Sequence, residues 1–204
     1  MAEIEYFYSG HSAFAYLGSA RLMEIAKASG RRIAHRPFDL RRLVSEIDVV
    51  PLARRSKAHV DYYFGREIMR WSEYRNAPTC SDLPTHHHHD PAMANGMLIA
   101  GLQQGLDIDR LAHVMLERHW RHDGDLADRD TLAEIGRAAG LDPEPLLARA
   151  LAPDVQQVYQ ANTDEALRRS VFGSPTYFVD GDMFYGQDRL EMVERALKQP
   201  FATR

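Results

Sequence analysis

The chain has 204 residues, 45 % of them hydrophobic, which is enough for one large domain or a domain carrying an insertion. Its formal charge of −4 provides no basic surface for nucleic acid, and no block of like charges indicates an anionic membrane partner. No apolar run approaches a membrane span, and the first residues lack the pattern of a secretory signal. We therefore expect a cytoplasmic protein with a small-molecule partner, and neither a nucleic-acid nor a membrane partner.

The single cysteine, Cys80, excludes an intrachain disulfide and a Cys-x-x-Cys redox pair. Any thiol chemistry would therefore need a thiol from a bound molecule. Cys80 itself lies in the turn-rich segment 77–82 without an activating base beside it in sequence, which is typical of an ordinary free cysteine.

The first part of the chain predicts a β-α-β unit. The segment Ile4 to Tyr8 is typical of a short strand, and the apolar positions after it recur at helical spacing until Gly30. Arg32 to Pro37 predicts a second strand, parallel to the first through a right-handed crossover.

Ser12 stands where the first strand gives way to this helix. The start of a helix presents unpaired N–H groups and a partial positive charge, which stabilise an anion such as a thiolate. Ser12 is placed to hold such an anion, but serine is also a preferred N-cap residue. Segment 8–17 alone favours the cap.

Residues 39–170 predict one helix after another, with no convincing strand. The pairs Asp90-Pro91 and Asp142-Pro143 each predict a helix start, with an acidic N-cap and proline at the first helical position. Asp130 is predicted to cap a further helix that runs to residue 140. Two more helices follow from apolar and other positions at helical spacing: Val60, Phe64, Ile68 and Trp71, then Val155, Val158, Tyr159, Asn162 and Ala166.

The last part of the chain predicts a hairpin and a helix. Asp180-Gly181 between two short apolar runs, 176–179 and 183–185, is a strong two-residue hairpin signal. A final helix is predicted from about Asp188 to Leu197. The order indicates an α/β fold, a thioredoxin-like domain (β-α-β, then β-β-α) with a large all-helical insertion. We assign residues 1–38 and 171–204 to the thioredoxin-like domain and 39–170 to the insertion.

Two short motifs flank the hairpin. In Phe172-Gly173-Ser174-Pro175-Thr176 a trans proline is the default, since only about 5–6 % of X–Pro bonds are cis. In a thioredoxin-like order, however, the proline entering this hairpin is characteristically cis, which would expose the Ser174 backbone to a bound peptide. Tyr185-Gly186-Gln187-Asp188-Arg189-Leu190 is explained as a glycine turn with a capping acid, or as a ligand site where Asp188 holds an ammonium group.

These motifs, together with Ser12-Ala13-Phe14-Ala15-Tyr16-Leu17, resemble the 2-hydroxychromene-2-carboxylate isomerase family, which is related to kappa-class glutathione transferases and DsbA-type oxidoreductases. The resemblance spans essentially the whole chain. It implies a glutathione-dependent cis-trans isomerase that interconverts 2-hydroxychromene-2-carboxylate and trans-o-hydroxybenzylidenepyruvate in naphthalene-type aromatic catabolism. The glutathione thiolate would add to the conjugated carbonyl system of the opened aromatic oxo-acid, permit rotation and leave again. Relatives commonly form homodimers, so a homodimer is expected.

The resemblance also implies roles for the motif residues. Ser12 would be the catalytic residue, hydrogen-bonding the glutathione sulfur and favouring its thiolate, because a thiol with a pKa of about 8.5 is mostly protonated at neutral pH. Ser174 would present its backbone to the cysteinyl part, and Gln187 with Asp188 would hold the γ-glutamyl end. The full set of expected glutathione-binding residues is Ser12, Ala13, Phe14, Ser174, Pro175, Gln187, Asp188 and Arg189.

The chain departs from the family pattern at three places. Ala13 stands where proline is usual, and Ser174 where valine is common. Segment 44–55 lacks the asparagine-containing loop that normally contributes to the site. Part of the substrate pocket therefore does not follow from the resemblance.

Four basic side chains are further candidates for the substrate pocket. His11, beside Ser12, is a candidate base, or a residue that shapes the pocket. Arg54, Arg55 and Lys57 are candidate partners of a substrate carboxylate, or solvated helix charges.

The run His86 to His89 is the one low-complexity segment of the chain. It is internal and leads into a predicted helix, so it does not resemble a purification tag. Successive side chains cannot all face one ion, and no cysteine supports a structural zinc site. We therefore expect a polar loop and no metal site.

Two other functions remain open. A kappa-type transferase would conjugate electrophiles to glutathione and release the adduct. A non-catalytic thioredoxin-like binding module would not bind glutathione and would be indifferent to the residue at position 12. The helical insertion builds the pocket wall, so the sequence does not fix the substrate.

Overall fold

The computed structural model describes residues 2–47, 50 and 54–202. Its centre is a four-stranded sheet with the strand order β2-β1-β3-β4. The strands are β1 (Glu3–Tyr8), β2 (Arg32–Pro37), β3 (Thr176–Val179) and β4 (Asp182–Tyr185). β2 runs parallel to β1, whereas β3 is antiparallel to both β1 and β4. The predicted thioredoxin-like fold, with its helical insertion, is confirmed.

Helix α1 (Ala13–Ser29) connects the two parallel strands and confirms the predicted β-α-β unit. It begins after Ser12, whose side chain accepts a hydrogen bond from the Ala15 N–H. It ends at Gly30, which takes the left-handed conformation at φ 66° and donates its N–H to the Ala26 and Lys27 carbonyls. The N-terminus of α1 therefore lies at the end of β1, close to the start of β3.

All the regular secondary structure in the described part of the insertion is helical. Its helices are α2 (Leu40–Glu46), α3 (Lys57–Val60), α4 (Glu67–Arg75), α5 (Ala92–Gln103), α6 (Asp109–His122), α7 (Arg129–Ala138), α8 (Pro143–Arg149) and α9 (Pro153–Arg168). A π-helical turn, Asp61–Arg66, joins α3 to α4 without a break. This continuous helix carries the predicted apolar face that includes Phe64 and Trp71, which pack against the core.

Two predicted helix starts in the insertion are wrong by one or two residues. α5 begins at Ala92, so Pro91 occupies the cap position rather than the first helical position. α7 is capped by Asp128 and not by Asp130, because the Asp128 carboxylate accepts the Thr131 N–H at 2.8 Å.

The chain closes with the predicted hairpin and helix. Asp180 and Gly181 both have positive φ, 50° and 92°, as a two-residue hairpin turn requires. A 3₁₀ turn, Gln187–Arg189, precedes α10 (Leu190–Lys198). The predicted start of the last helix therefore falls in this turn.

One hydrophobic cluster extends from the sheet into the insertion. Tyr6 and Tyr8 of β1 stack with ring centroids 4.0 Å apart, and the same cluster includes Leu17 of α1 and Met97 of α5. The predicted limits of the two domains fall in the connections between β2 and α2 and between α9 and β3. Within the described ranges no helix combines the length and apolar character that crossing a bilayer requires.

Candidate active site

A cavity of about 600 Å³ opens at the N-terminus of α1, between the sheet and the insertion. Its size is typical of a site for a small organic molecule, which is about 300–1,000 Å³. Ser12, Ala13 and Phe14 line it from α1, and aromatic side chains including Tyr63 and Tyr185 line it from the π-helical turn and from β4.

The Ser12 hydroxyl is buried and has two partners. It accepts the Ala15 N–H at 3.3 Å, which is the capping interaction, and donates to the Ser174 carbonyl at 3.1 Å. The two interpretations of Ser12 are therefore compatible, because the same oxygen caps α1 and borders the cavity. A hydroxyl has one hydrogen to donate, so a hydrogen bond from Ser12 to a bound anion would replace its hydrogen bond to the Ser174 carbonyl.

The peptide bond between Ser174 and Pro175 is cis, as the thioredoxin-like order predicts. The expectation of an exposed Ser174 backbone is wrong, because Ser174 is buried and its carbonyl accepts the Ser12 hydroxyl. The Ser174 side chain, at a position where valine is common, accepts the Ser9 N–H at 3.1 Å. It therefore fixes the end of β1 to the segment that enters β3.

A smaller cavity of about 100 Å³ adjoins the first and shares four lining residues with it, Phe14, Tyr63, Ser174 and Tyr185. Gln187 and Asp188 line this smaller cavity. The linings of the two cavities together extend from Ser12 to the turn before α10.

The expected glutathione-binding residues divide into two groups. Ser12, Ala13, Phe14, Ser174, Gln187 and Asp188 line one or both cavities. Pro175 and Arg189 do not belong to the lining that the described residues form. The Arg189 guanidinium instead donates to the Asp188 carboxylate at 2.6 Å.

Gln187 is placed more deeply than the sequence suggests. Its side chain is buried, and its amide oxygen accepts from the Arg75 guanidinium at 3.2 Å. Both Gln187 and Asp188 have an arginine partner, but the Asp188 side chain is 39 % exposed and is therefore the more accessible of the two.

Glu67 is a site residue that the sequence analysis missed. It lines the smaller cavity from α4 and adds a second carboxylate near Asp188. A hydrogen bond from Arg70, at 2.5 Å, lowers the pKa of Glu67. Helical periodicity showed only the apolar face of α4, so it held no signal for Glu67.

Of the three cationic candidates for the substrate carboxylate, one lines the main cavity and two do not. Arg55 lines the main cavity, with its guanidinium carbon 5.5 Å from the centroid of the Phe64 ring. Arg54 and Lys57 are exposed and do not line it. Residues 48, 49 and 51–53 of the divergent segment lie outside the described residues.

Histidines from three parts of the chain converge on one side of the main cavity. His11 and His87 both line it, with ring centroids 5.2 Å apart. Behind them, His87 Nδ1 lies 2.9 Å from His119 Nε2, and His119 Nδ1 lies 2.9 Å from the Gly124 carbonyl oxygen. On the other side, His11 Nδ1 is 2.8 Å from the Ser9 hydroxyl.

Burial keeps this group of histidines neutral at pH 7. Loss of solvation is the largest cause that lowers the pKa of His11 well below its usual value and the pKa of His87 to about 4. The pKa of His119 is lowered as well, again mainly by burial. The sequence analysis proposed His11 for the pocket and assigned His87 to a polar loop, because only the fold brings positions 87 and 119 beside His11.

His86 and His89 lie outside the cavity lining, on the exposed side of the same turn. His89 Nδ1 is 2.9 Å from the Asp125 carboxylate, and His86 Nδ1 is 3.8 Å from it. These side chains form the one group in the described part of the chain with three potential metal ligands, within 4.8 Å of one another. The His89 hydrogen bond to Asp125 accounts for the grouping, and the expectation that the site holds no metal stays a prediction.

Cys80 is partly buried and lines the main cavity, a position that the sequence did not indicate. Its backbone N–H donates to the Trp120 carbonyl at 2.7 Å. The cavity wall therefore includes the chain's single thiol, beside Trp120 and His87.

Comparison with known proteins places this site in a family context. The model of the DSBA-like thioredoxin domain matches residues 3–198. A 2-hydroxychromene-2-carboxylate isomerase of Sphingobium xenophagum is 25 % identical over 202 residues, which cover 95 % of this chain and 97 % of the relative. An isomerase of the same name from Pseudomonas putida is 27 % identical over 198 residues, covering 95 % and 93 %.

Solved structures agree on the fold. A 2-hydroxychromene-2-carboxylate isomerase superposes with a TM-score of 0.78 at 24 % identity, over 96 % of this chain and 94 % of that one. The cytosolic disulfide reductase DsbM of Pseudomonas aeruginosa, solved with GSH, superposes with a TM-score of 0.66 at 16 % identity, over 97 % and 93 %. The predicted resemblance to the isomerases and their DsbA-type relatives is confirmed, and the chain belongs to the family of DsbA-like thioredoxin-domain proteins.

Proposed function

We propose that this protein is a glutathione-dependent cis-trans isomerase that interconverts 2-hydroxychromene-2-carboxylate and trans-o-hydroxybenzylidenepyruvate in naphthalene-type aromatic catabolism. The observation that carries the proposal is the Ser12 hydroxyl, held at the N-terminus of α1 on the border of a cavity of about 600 Å³. The names of the relatives from Sphingobium xenophagum and Pseudomonas putida support it.

The charges that line the two adjoining cavities match those of glutathione, and they follow one another in the same order as its thiol and its γ-glutamyl end. The N-terminus of α1 and the Ser12 hydroxyl suit a thiolate in the main cavity. The carboxylates of Glu67 and Asp188 suit the ammonium group of the γ-glutamyl end in the smaller cavity. When bound, glutathione would supply a thiolate nucleophile that is recovered at the end of the reaction.

The chain's own groups would then position and polarise the reactants. Ser12 would donate a hydrogen bond to the sulfur and so favour the thiolate. Tyr63, whose pKa burial raises to about 12, stays a neutral hydroxyl in the aromatic wall of the cavity. Arg55 is the cation in the lining that can meet the carboxylate of the substrate.

The first test is glutathione binding by isothermal calorimetry, with an ultraviolet scan of the bound thiol and an isomerase assay in parallel. In Ser12→Ala we expect the thiolate band to fade and turnover to fall about a hundredfold, because the partner of the hydroxyl is a developing anion. Loss of the cap should cost about 1 kcal/mol of stability, so the variant should still fold. Ser12→Thr is the matched control, because it keeps a hydroxyl at the cap.

The same measurements separate the other functions. A stable glutathione adduct, instead of recovered free thiol, would indicate a transferase. No binding at millimolar glutathione would indicate a non-catalytic module. Unchanged turnover in a folded Ser12→Ala protein would remove Ser12 from the mechanism.

We further propose that the enzyme works in the cytoplasm as a homodimer. The homodimer is an implication of the family resemblance. Light scattering coupled to size-exclusion chromatography tests it, and a mass of about one chain in solution would contradict it.

A further inference from the structure

His87 occupies a part of the cavity wall that the proposed role of Ser12 does not use. Its ring lies edge-on to Trp120, with centroids 5.2 Å apart, and beside His11. Its main chain is also fixed, because the Arg41 guanidinium donates to the carbonyls of His87 and His89 at 3.0 and 2.8 Å. The ring is therefore held in one place at the edge of the cavity.

The hydrogen bonds behind His87 determine which of its nitrogens carries the hydrogen. The Gly124 carbonyl can only accept, so His119 Nδ1 is the N–H that donates to it. A neutral His119 then has its lone pair on Nε2, and the hydrogen in the 2.9 Å contact must come from His87 Nδ1. A neutral His87 has one N–H, so its Nε2 carries a lone pair.

This lone pair is accessible from the cavity. His87 Nε2 has no hydrogen-bond partner among the described residues, where the hydrogen bond of the ring is made through Nδ1. Nor does it belong to the buried atoms left without a partner there, which are Tyr6 OH, Arg118 Nε and Tyr177 OH. The position of His87 in the lining of the main cavity therefore indicates that this lone pair faces the space that Ser12 borders.

We propose that His87 is a second catalytic residue, the general base and then the general acid for opening the cyclic hemiketal of the substrate; this inference rests on the proposed function. Nε2 takes the proton of the hemiketal hydroxyl, the new C=O forms, and the bond from that carbon to the ring oxygen breaks. The imidazolium then returns the proton to the released phenolate oxygen. One proton moves between two oxygens of the substrate, and nothing is oxidised or reduced.

His87 suits this step better than its neighbour does. The Ser9 hydroxyl can donate or accept, so it leaves the tautomer of His11 undetermined, whereas Gly124 determines that of His87 through His119. The groups that face His87 are His11, His119 and Arg41, and the exposed His88 has the smallest effect on it. These groups lower the pKa of His87, so an imidazolium formed there readily returns its proton. The carboxylate of a bound substrate would have the opposite effect and raise the pKa of His87 toward neutrality.

The test compares His87→Gln and His87→Ala with wild type, and His88→Gln, an exposed histidine of the same turn, is the matched control. For His87→Gln we expect unchanged glutathione affinity and thiolate absorbance, with kcat on the chromene substrate lowered about a hundredfold. The acid limb of the kcat profile should disappear in this variant. Added imidazole should restore part of the turnover of His87→Ala, and His88→Gln should match wild type.

Each contrary result has its own meaning. Wild-type turnover in His87→Gln, with glutathione still bound, would overturn the role of His87 and leave the proposed function standing. A wild type that binds glutathione but does not convert the chromene substrate would overturn the proposed reaction and this role with it. Loss of glutathione binding in both His87 variants, with an altered circular dichroism spectrum, would show that His87 is structural.

Discussion

Ser12 and Ser174 share a hydrogen bond that a bound thiolate would have to break. In the structure the Ser12 hydroxyl donates to the Ser174 carbonyl while its oxygen caps α1. If the Ser12 hydroxyl donated its hydrogen bond to the sulfur instead, the Ser174 carbonyl would be free for another donor, such as the backbone N–H of the cysteinyl residue of glutathione. A single serine would thus couple ionisation of the thiol to docking of the peptide that carries it.

Asp188 tests the other end of the same ligand. In Asp188→Asn we expect glutathione to bind about tenfold more weakly, because a charge-assisted hydrogen bond to the ammonium group becomes a neutral one. The measurement is calorimetry with glutathione and with an analogue that lacks the γ-glutamyl amino group. The substitution should not change the affinity for the analogue.

The neighbouring carboxylate serves as a comparison for Asp188. Each carboxylate accepts from an arginine, Glu67 from Arg70 and Asp188 from Arg189, so Glu67→Gln should weaken glutathione binding about as much as Asp188→Asn if both carboxylates contact the ammonium group. Equal affinity of wild type and Asp188→Asn for glutathione would count against the proposed γ-glutamyl site.

At the level of elements, the site depends on how closely α1 approaches the turn before α10. Gly18 of α1 faces that turn, and a Cβ at this position would lie 2.7 Å from the Gln187 Cβ and 3.1 Å from the Tyr177 hydroxyl. Glycine is needed here for close approach, since α1 as a helix would otherwise favour alanine. The fit between the two elements therefore places Gln187 and Asp188 beside the smaller cavity.

Gly18→Ala should show this dependence. We expect the added methyl to displace the turn, lower the free energy of unfolding by about 1 kcal/mol after the gain in helix propensity, and weaken glutathione binding. Gly65→Ala in the π-helical turn is the control for stability, because no heavy atom beyond its chain neighbours and its own helix backbone lies within 4 Å of a Cβ there. Urea unfolding and calorimetry give both quantities, and a Gly18→Ala protein more stable than wild type would refute the close contact.

At the scale of the whole molecule, the sequence predicts the features that depend on neighbouring residues. The Asp180-Gly181 turn and the Asp142-Pro143 helix start lie as predicted, because each depends on the conformational preferences of adjacent residues. The pairing of His87 with His119, and of Glu67 with Asp188 around the smaller cavity, had no such signal. These contacts follow from the packing of the insertion on the sheet, which no short segment encodes.

The buried histidines should make the stability of the whole protein depend on pH. His11, His87 and His119 all have pKa values below the usual 6.5 in the folded state, and that of His87 is about 4. Between the folded and unfolded values the unfolded chain binds more protons, so the free energy of unfolding rises with pH there. Stability should therefore be fully present above about pH 6.5 and decline steadily toward pH 4.

Urea midpoints measured between pH 7.5 and 4.5 check this decline. His87→Gln should flatten part of the slope, since it removes one group that gains a proton on unfolding, while His88→Gln should leave it as in wild type. Because all carboxylates are still present in both variants, the difference between their slopes isolates the histidine contribution from acid effects common to the chain. Identical slopes in the two variants would mean that His87 is as easily protonated in the folded protein as in the unfolded one, and would contradict its burial as a neutral ring.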